Sequence, residues 1–177
     1  MASDTSVFRR NIRSILKWTI YALLLLAAYI AGQNPFVLNL FGVRPILILP
    51  VAISVAMFEH EFSGAIFAAA AGILWGISSD TVFGYYAIIL LVLGAAAGLI
   101  CSYGLSPNLL TALLLSFGAS MITGLLDFFF LYVLWGYNGL SRFFLTSMLP
   151  TILVTAFFII PFYYLVRLIN GKLQLPK

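Results

Sequence analysis

Residues 81 to 126 read TVFGYYAIILLVLGAAAGLICSYGLSPNLLTALLLSFGASMITGLL, 46 positions without a single Asp, Glu, Lys or Arg. An α-helix that crosses a bilayer uses about 20 mostly apolar residues, so this stretch is two spans. The turn formers Tyr103, Gly104, Ser106, Pro107 and Asn108 divide it into Tyr85 to Ser102 and Leu109 to Trp135. Working outward, the other long charge-free runs are 18–43, 45–58, 62–79, 128–141 and 143–166, and together the six runs hold 142 of 177 residues. With 63% hydrophobic and 8% charged residues, against roughly 25% charged in a soluble domain, the chain reads as an all-α polytopic membrane protein. About six transmembrane helices with short loops follow. A basic tail spans 1–17, the membrane domain 18–169 and a polar tail 170–177.

The first span runs from Trp18 to Ala31. It is read as uncleaved, because Tyr29 stands where a signal-peptide exit requires a small residue. Gln33, Asn34, Pro35, Asn39, Gly42 and Arg44 make the next loop. The second span, Ile46 to Phe58, is short for a crossing and carries Pro50. The third runs from Phe62 to Ser78, and the sixth occupies Phe143 to Ile169.

With both termini in the cytoplasm, the inner side receives Arg9, Arg10, Arg13, Lys17, Arg167, Lys172 and Lys177, and the outer loops receive Arg44 and Arg142. Positive residues collect on the cytoplasmic side of membrane proteins, so seven against two orients the chain. The net charge of +4 is an orientation signal rather than a nucleic-acid surface. Trp18, Tyr21, Trp135, Tyr137, Tyr163 and Tyr164 lie near span ends, where interfacial anchors belong.

Small residues recur every fourth position along the third span, at Gly64, Ala68, Gly72 and Gly76, and the fourth span carries Gly94 and Gly98. Lipid tails compete equally for apolar side chains, so a bare helix face gains stability through close backbone approach to a neighbour. The fourth span is the expected neighbour, or else the first with Ala27 and Ala31.

Ionisable groups inside a membrane are costly and therefore informative. Asp127 lies in the fifth span on one face with Ser120 and Gly124. It is either a proton, ligand or partner-clamp site or a carboxyl that locks the bundle. Glu59, His60 and Glu61 form a polar turn expected to be solvated, and Asp80 and Arg142 fall in outer loops. No metal centre, cofactor site or catalytic constellation is read: there is one His, one Cys (Cys101, in an apolar run) and no G-x-S-x-G.

The stretch from Arg44 to Ile100 resembles the rod shape-determining protein MreD family. The resemblance rests on Arg44-Pro45 before a short apolar span and on the acidic turn Phe58-Glu59-His60-Glu61-Phe62. It continues through Gly64-Ala65-Ile66-Phe67, through Gly72 to Ala87 (GILWGISSDTVFGYYA), and through the span around Gly94 and Gly98. In the family pattern an acidic residue often follows Gly-Leu-Leu-Trp; here that position is Gly76, and Asp80 stands one helical turn later. The resemblance implies a non-enzymatic subunit of the bacterial cell-elongation machinery in the cytoplasmic membrane. Such a subunit pairs with MreC and, directly or through it, links MreB to RodA and its partner transpeptidase. The competing expectation is the substrate-binding membrane component of an energy-coupling-factor vitamin transporter. That reading uses Ala27 and Ala31 for docking, and Asn34, Asn39, Arg44, Asp80, Asn138 and Arg142 as candidate polar groups.

Overall fold

The computed structural model describes residues 2–34, 45–79, 81–133 and 144–173, which form six helices and no strand. They are α1 (Ala2–Gln33), α2 (Ile48–Phe58), α3 (Glu61–Ile77), α4 (Tyr85–Tyr103), α5 (Leu109–Asp127) and a sixth helix in two pieces, α6 (Leu149–Phe157) and α7 (Ile159–Leu173). Short π-helical segments, Phe128–Val133 and Phe144–Met148, extend α5 and precede α6. The break at Phe158 has a covalent cause. Pro161 offers no N–H to the carbonyl of Phe157, four residues back, and its ring crowds that carbonyl.

Among the described residues, four helices are long and apolar enough to cross a membrane: Ile12–Gln33, Tyr85–Tyr103, Leu109–Phe130 and Thr146–Lys172. The chain is therefore an all-α, multi-pass membrane protein. α1 runs without interruption across 17/18 and α7 across 169/170, so no helix end marks either expected tail.

The two shorter helices differ in kind. α2 is the axis of the bundle, in contact with every other helix, and Ile48 to Met57 are all buried. A helix apolar on every side belongs in the interior. At 11 residues it is about 17 Å long, well under the hydrocarbon thickness of about 30 Å, but its surroundings are protein rather than lipid. Pro50 lies in its first turn, where backbone N–H groups lack helical acceptors anyway. No kink results.

Polar groups of the sixth span meet both ends of α2. Ile46 N–H, just before the helix, donates to Thr155 Oγ1 at 3.1 Å, and Asn170 Nδ2 reaches the Phe58 carbonyl at 3.5 Å. Irregular backbone at membrane depth persists only where such partners are supplied. Thr155→Val keeps the side-chain shape and leaves the Ile46 N–H unpaired. It should cost about 1–3 kcal/mol in denaturant titration of the detergent-solubilised protein. Thr19→Val, which removes only an exposed intrahelical bond to Ile15, should change little; equal effects would contradict this capping role.

α3 and α4 form the most extensive helix pair. A Cβ at Gly64 would stand 2.8 Å from Ala56 Cα, one at Gly72 2.6 Å from Ala87 Cα, one at Gly94 2.5 Å from Ala68 Cβ, and one at Gly98 2.7 Å from Glu61 Cα. Thus Gly72 and Gly94 bring α3 against α4, Gly64 brings α3 against α2, and Gly98 admits the start of α3. Ala68 is fully buried in the same seam. Gly76 departs from the series: a Cβ there meets nothing within 4 Å, since Gly72 one turn earlier already faces Tyr86 and Ala87 in the first turn of α4. Of the two expected neighbours α4 is the one found, while α1 packs mainly on α2 and α7. The opposite face of α3 presents Phe62, Ile66, Ile73 and Ile77 outward.

Candidate functional site

Two clusters gather the polar groups of this apolar bundle, one at each end. The end that carries the chain termini holds Lys17, the turn after α2 and Asn170. There Lys17 Nζ pairs with Glu59 Oε1 at 2.5 Å, and the Tyr21 hydroxyl donates to the same oxygen at 3.1 Å. Lys17 and Tyr21 are one turn apart on α1, so a single helix face closes on the carboxylate from two sides. Trp18 and Phe67 pack edge-on against Tyr21 and tilted against each other.

This alters the reading of the acidic turn. Glu59 is neither solvated nor available, since its side chain keeps only 11% of its exposure; of the three, His60 alone is exposed, and Glu61 is half-buried. Two of the tyrosines near span ends turn into the bundle. Tyr21 and Tyr163 are 0% and 1% exposed, because each finds an acceptor inside: Glu59 for Tyr21, and the Pro107 carbonyl at 2.7 Å for Tyr163. Buried tyrosines generally find such a partner. Trp135 and Tyr137 lie outside the described residues, as do Asp80, Arg142, Arg44, Asn39 and Asn138.

At the opposite end a cleft opens between α5 and α6, roofed by Ile46 and Leu49. Its volume is about 160 Å³, and its walls carry Ser120, Thr123, Gly124 and Asp127 from α5 and Ser147, Thr151 and Thr155 from α6 and the segment before it. Spacings of three and four from Ser120 to Asp127, and of four and four from Ser147 to Thr155, place each set on one helix face. The two helices run antiparallel here, and Gly124 lets Ile152 approach.

Asp127 is the last residue of α5. It sits about 27 Å along the helix from Leu109, and the π-helical segment Phe128–Val133 carries the span on beyond it. The Tyr86 hydroxyl donates to its Oδ2 at 3.3 Å, and the Tyr86 ring stacks on Trp75 with centroids 3.9 Å apart. Tyr85 lies beside the same carboxyl and edge-on to Phe130. Asp127 Oδ1 and Ser120 Oγ are buried with no hydrogen-bond partner. Among the described residues no three His, Cys, Asp or Glu side chains converge as a metal site would need.

Comparison with protein-family models, with curated proteins and with solved structures finds no match. The site therefore rests on its own geometry. Reading by residue type found Ser120, Gly124 and Asp127 on one face, and the structure lines the cleft with all three. It missed the facing Ser147, Thr151 and Thr155. Their step of four was the available signal, obscured because threonine in an apolar helix passes for a space-filling residue.

Proposed function

We propose that the chain is a non-enzymatic integral subunit of the bacterial cell-elongation complex in the cytoplasmic membrane, an MreD-like scaffold that holds MreC and, directly or through it, RodA, its partner transpeptidase and MreB. The observation that supports this reading most is what the resembling residues do. Gly64, Gly72, Gly94 and Gly98 are occupied in bringing α2, α3 and α4 together, and Glu59 is occupied by Lys17 and Tyr21. A motif given over to packing fits a rigid membrane body that offers helix faces and termini to partners better than it fits a reaction centre.

One observation favours the second reading, the membrane component of a vitamin transporter: the polar cleft at the end away from the termini. Its volume of about 160 Å³ falls below the 300–1,000 Å³ usual for small-molecule sites, which weighs toward the scaffold. Depletion in a rod-shaped host should produce round cells, and MreC should co-purify from crosslinked membranes. Unchanged cell shape, together with a vitamin released on denaturing the purified chain and seen by mass spectrometry, would replace the scaffold by the transporter.

A further inference from the structure

Of the five hydroxyls that line the cleft between α5 and α6, two have already placed their own hydrogens. Thr123 donates its hydroxyl hydrogen to the Ala119 carbonyl at 2.9 Å, and Thr151 donates to the Ser147 carbonyl at 2.7 Å. What these two hydroxyls have left to offer a ligand is lone pairs. Thr155 already uses Oγ1 as an acceptor for Ile46. Asp127 Oδ1 and Ser120 Oγ have no partner, and Ser120 is 4% exposed. No described lysine, arginine or histidine lines the cleft. Tyr86 donates to Oδ2 and the Tyr85 hydroxyl lies beside the carboxyl, but the buried Oδ1 is left without a hydrogen-bond partner; such an oxygen is poorly compensated in a low-dielectric setting, and an anion next to it would worsen this.

The occupant that completes this site brings N–H donors and positive charge. Its size is bounded too, since a cavity near 150 Å³ holds a molecule of about six heavy atoms. The polar groups are strung along the cleft: Ser147 and Thr155 are about 12 Å apart on the helix axis. Only a few oxygens therefore meet at any one point, whereas a spherical cation such as calcium takes six to eight converging oxygens. Ile46, Leu49, Met148 and Ile152 complete the walls, which suits a short hydrocarbon body behind the charged head.

We infer that this cleft binds a small amphiphilic primary amine in its ammonium form, with the ammonium against Asp127 and the alkyl portion among Ile46, Leu49, Met148 and Ile152. This occupancy does not depend on either functional reading above.

The test uses the full chain in detergent, with n-butylammonium, n-butanol and n-butyrate compared at equal concentration and ionic strength. n-Butylammonium should raise the unfolding midpoint, by several degrees at saturation, with little effect from n-butanol and none from n-butyrate. Ligand that binds only the folded state acts in this way. Asp127→Asn should weaken the apparent affinity at least tenfold. Because loss of Asp127 can impair folding, Thr151→Val, which keeps volume and removes one acceptor, provides a second reading and should weaken it severalfold. Equal shifts from all three additives, or an ammonium shift that survives in both variants, would overturn the assignment.

Discussion

Gly72→Ala should weaken the bundle severely, although it adds one methyl group to a helix. The new Cβ would lie 2.6 Å from Ala87 Cα and 2.7 Å from Ala87 N, and it would also meet the Tyr86 carbonyl oxygen. All three are backbone atoms, which cannot turn aside as the tip of a flexible side chain can. α3 and α4 must separate along their most extensive contact. Helix propensity works the other way, since alanine is favoured over glycine by about 1 kcal/mol. Overpacking costs typically 1–3 kcal/mol and more where the backbone must move, so a net loss of about 2 kcal/mol or greater is expected. Gly76→Ala, one turn further on with open space around it, keeps the propensity gain and should be neutral or slightly stabilising. Denaturant unfolding of both variants in the same detergent measures the contrast. Equal stability of the two would show that the glycine step does not set the approach of α3 to α4.

Glu59→Gln is the second change with a large expected effect. The carboxylate is held by Lys17 and Tyr21 with both charged side chains nearly buried, at 14% and 11% exposure. Removing one member of such a pair leaves the other charge without compensation, at a cost of about 3 kcal/mol. Lys17→Met alone should cost a similar amount for the same reason. The double variant removes both charges, and its loss should fall well short of the sum, with a coupling of about 1–3 kcal/mol. A double-mutant cycle on thermal or denaturant unfolding tests this. Strict additivity would mean that the contact carries no energy.

How far these features were legible in the sequence depends on what the bilayer leaves to be read. Helix number and approximate limits follow from charge-free runs, and the close approaches follow from glycines four apart, because both signals survive in an apolar chain. The position of α2 does not. In water, an apolar stripe points inward and a polar one outward. In lipid both surfaces are apolar, so Ile48 to Met57 gave no sign that they form the axis, beyond being too short to cross alone. For the same reason Ile66 and Ile73, which face outward, are chemically indistinguishable from Ile53, which is 1% exposed.

Tyr21 and Tyr163 illustrate a second limit. Near a span end a tyrosine suits the interface equally well, and only the three-dimensional arrival of Glu59 and the Pro107 carbonyl draws each one inside. The cleft was half legible: a carboxyl in an apolar run is conspicuous, whereas its hydroxyl counterparts on α6 are not. Gly76 shows the converse, a position that fits a sequence pattern whose structural reason ended one turn earlier.

The partners that meet the ends of α2 come from the last span, 109 and 112 residues further along the chain. During synthesis, then, the second helix leaves the ribosome long before Thr155 and Asn170 exist. Until they arrive, a segment too short to cross on its own, with open backbone groups at both ends, has no finished place in the bilayer. The core closes late, as an act of the carboxyl-terminal third, and a nascent chain interrupted before residue 155 is left with an axis packed on α1, α3, α4 and α5 but open at both ends.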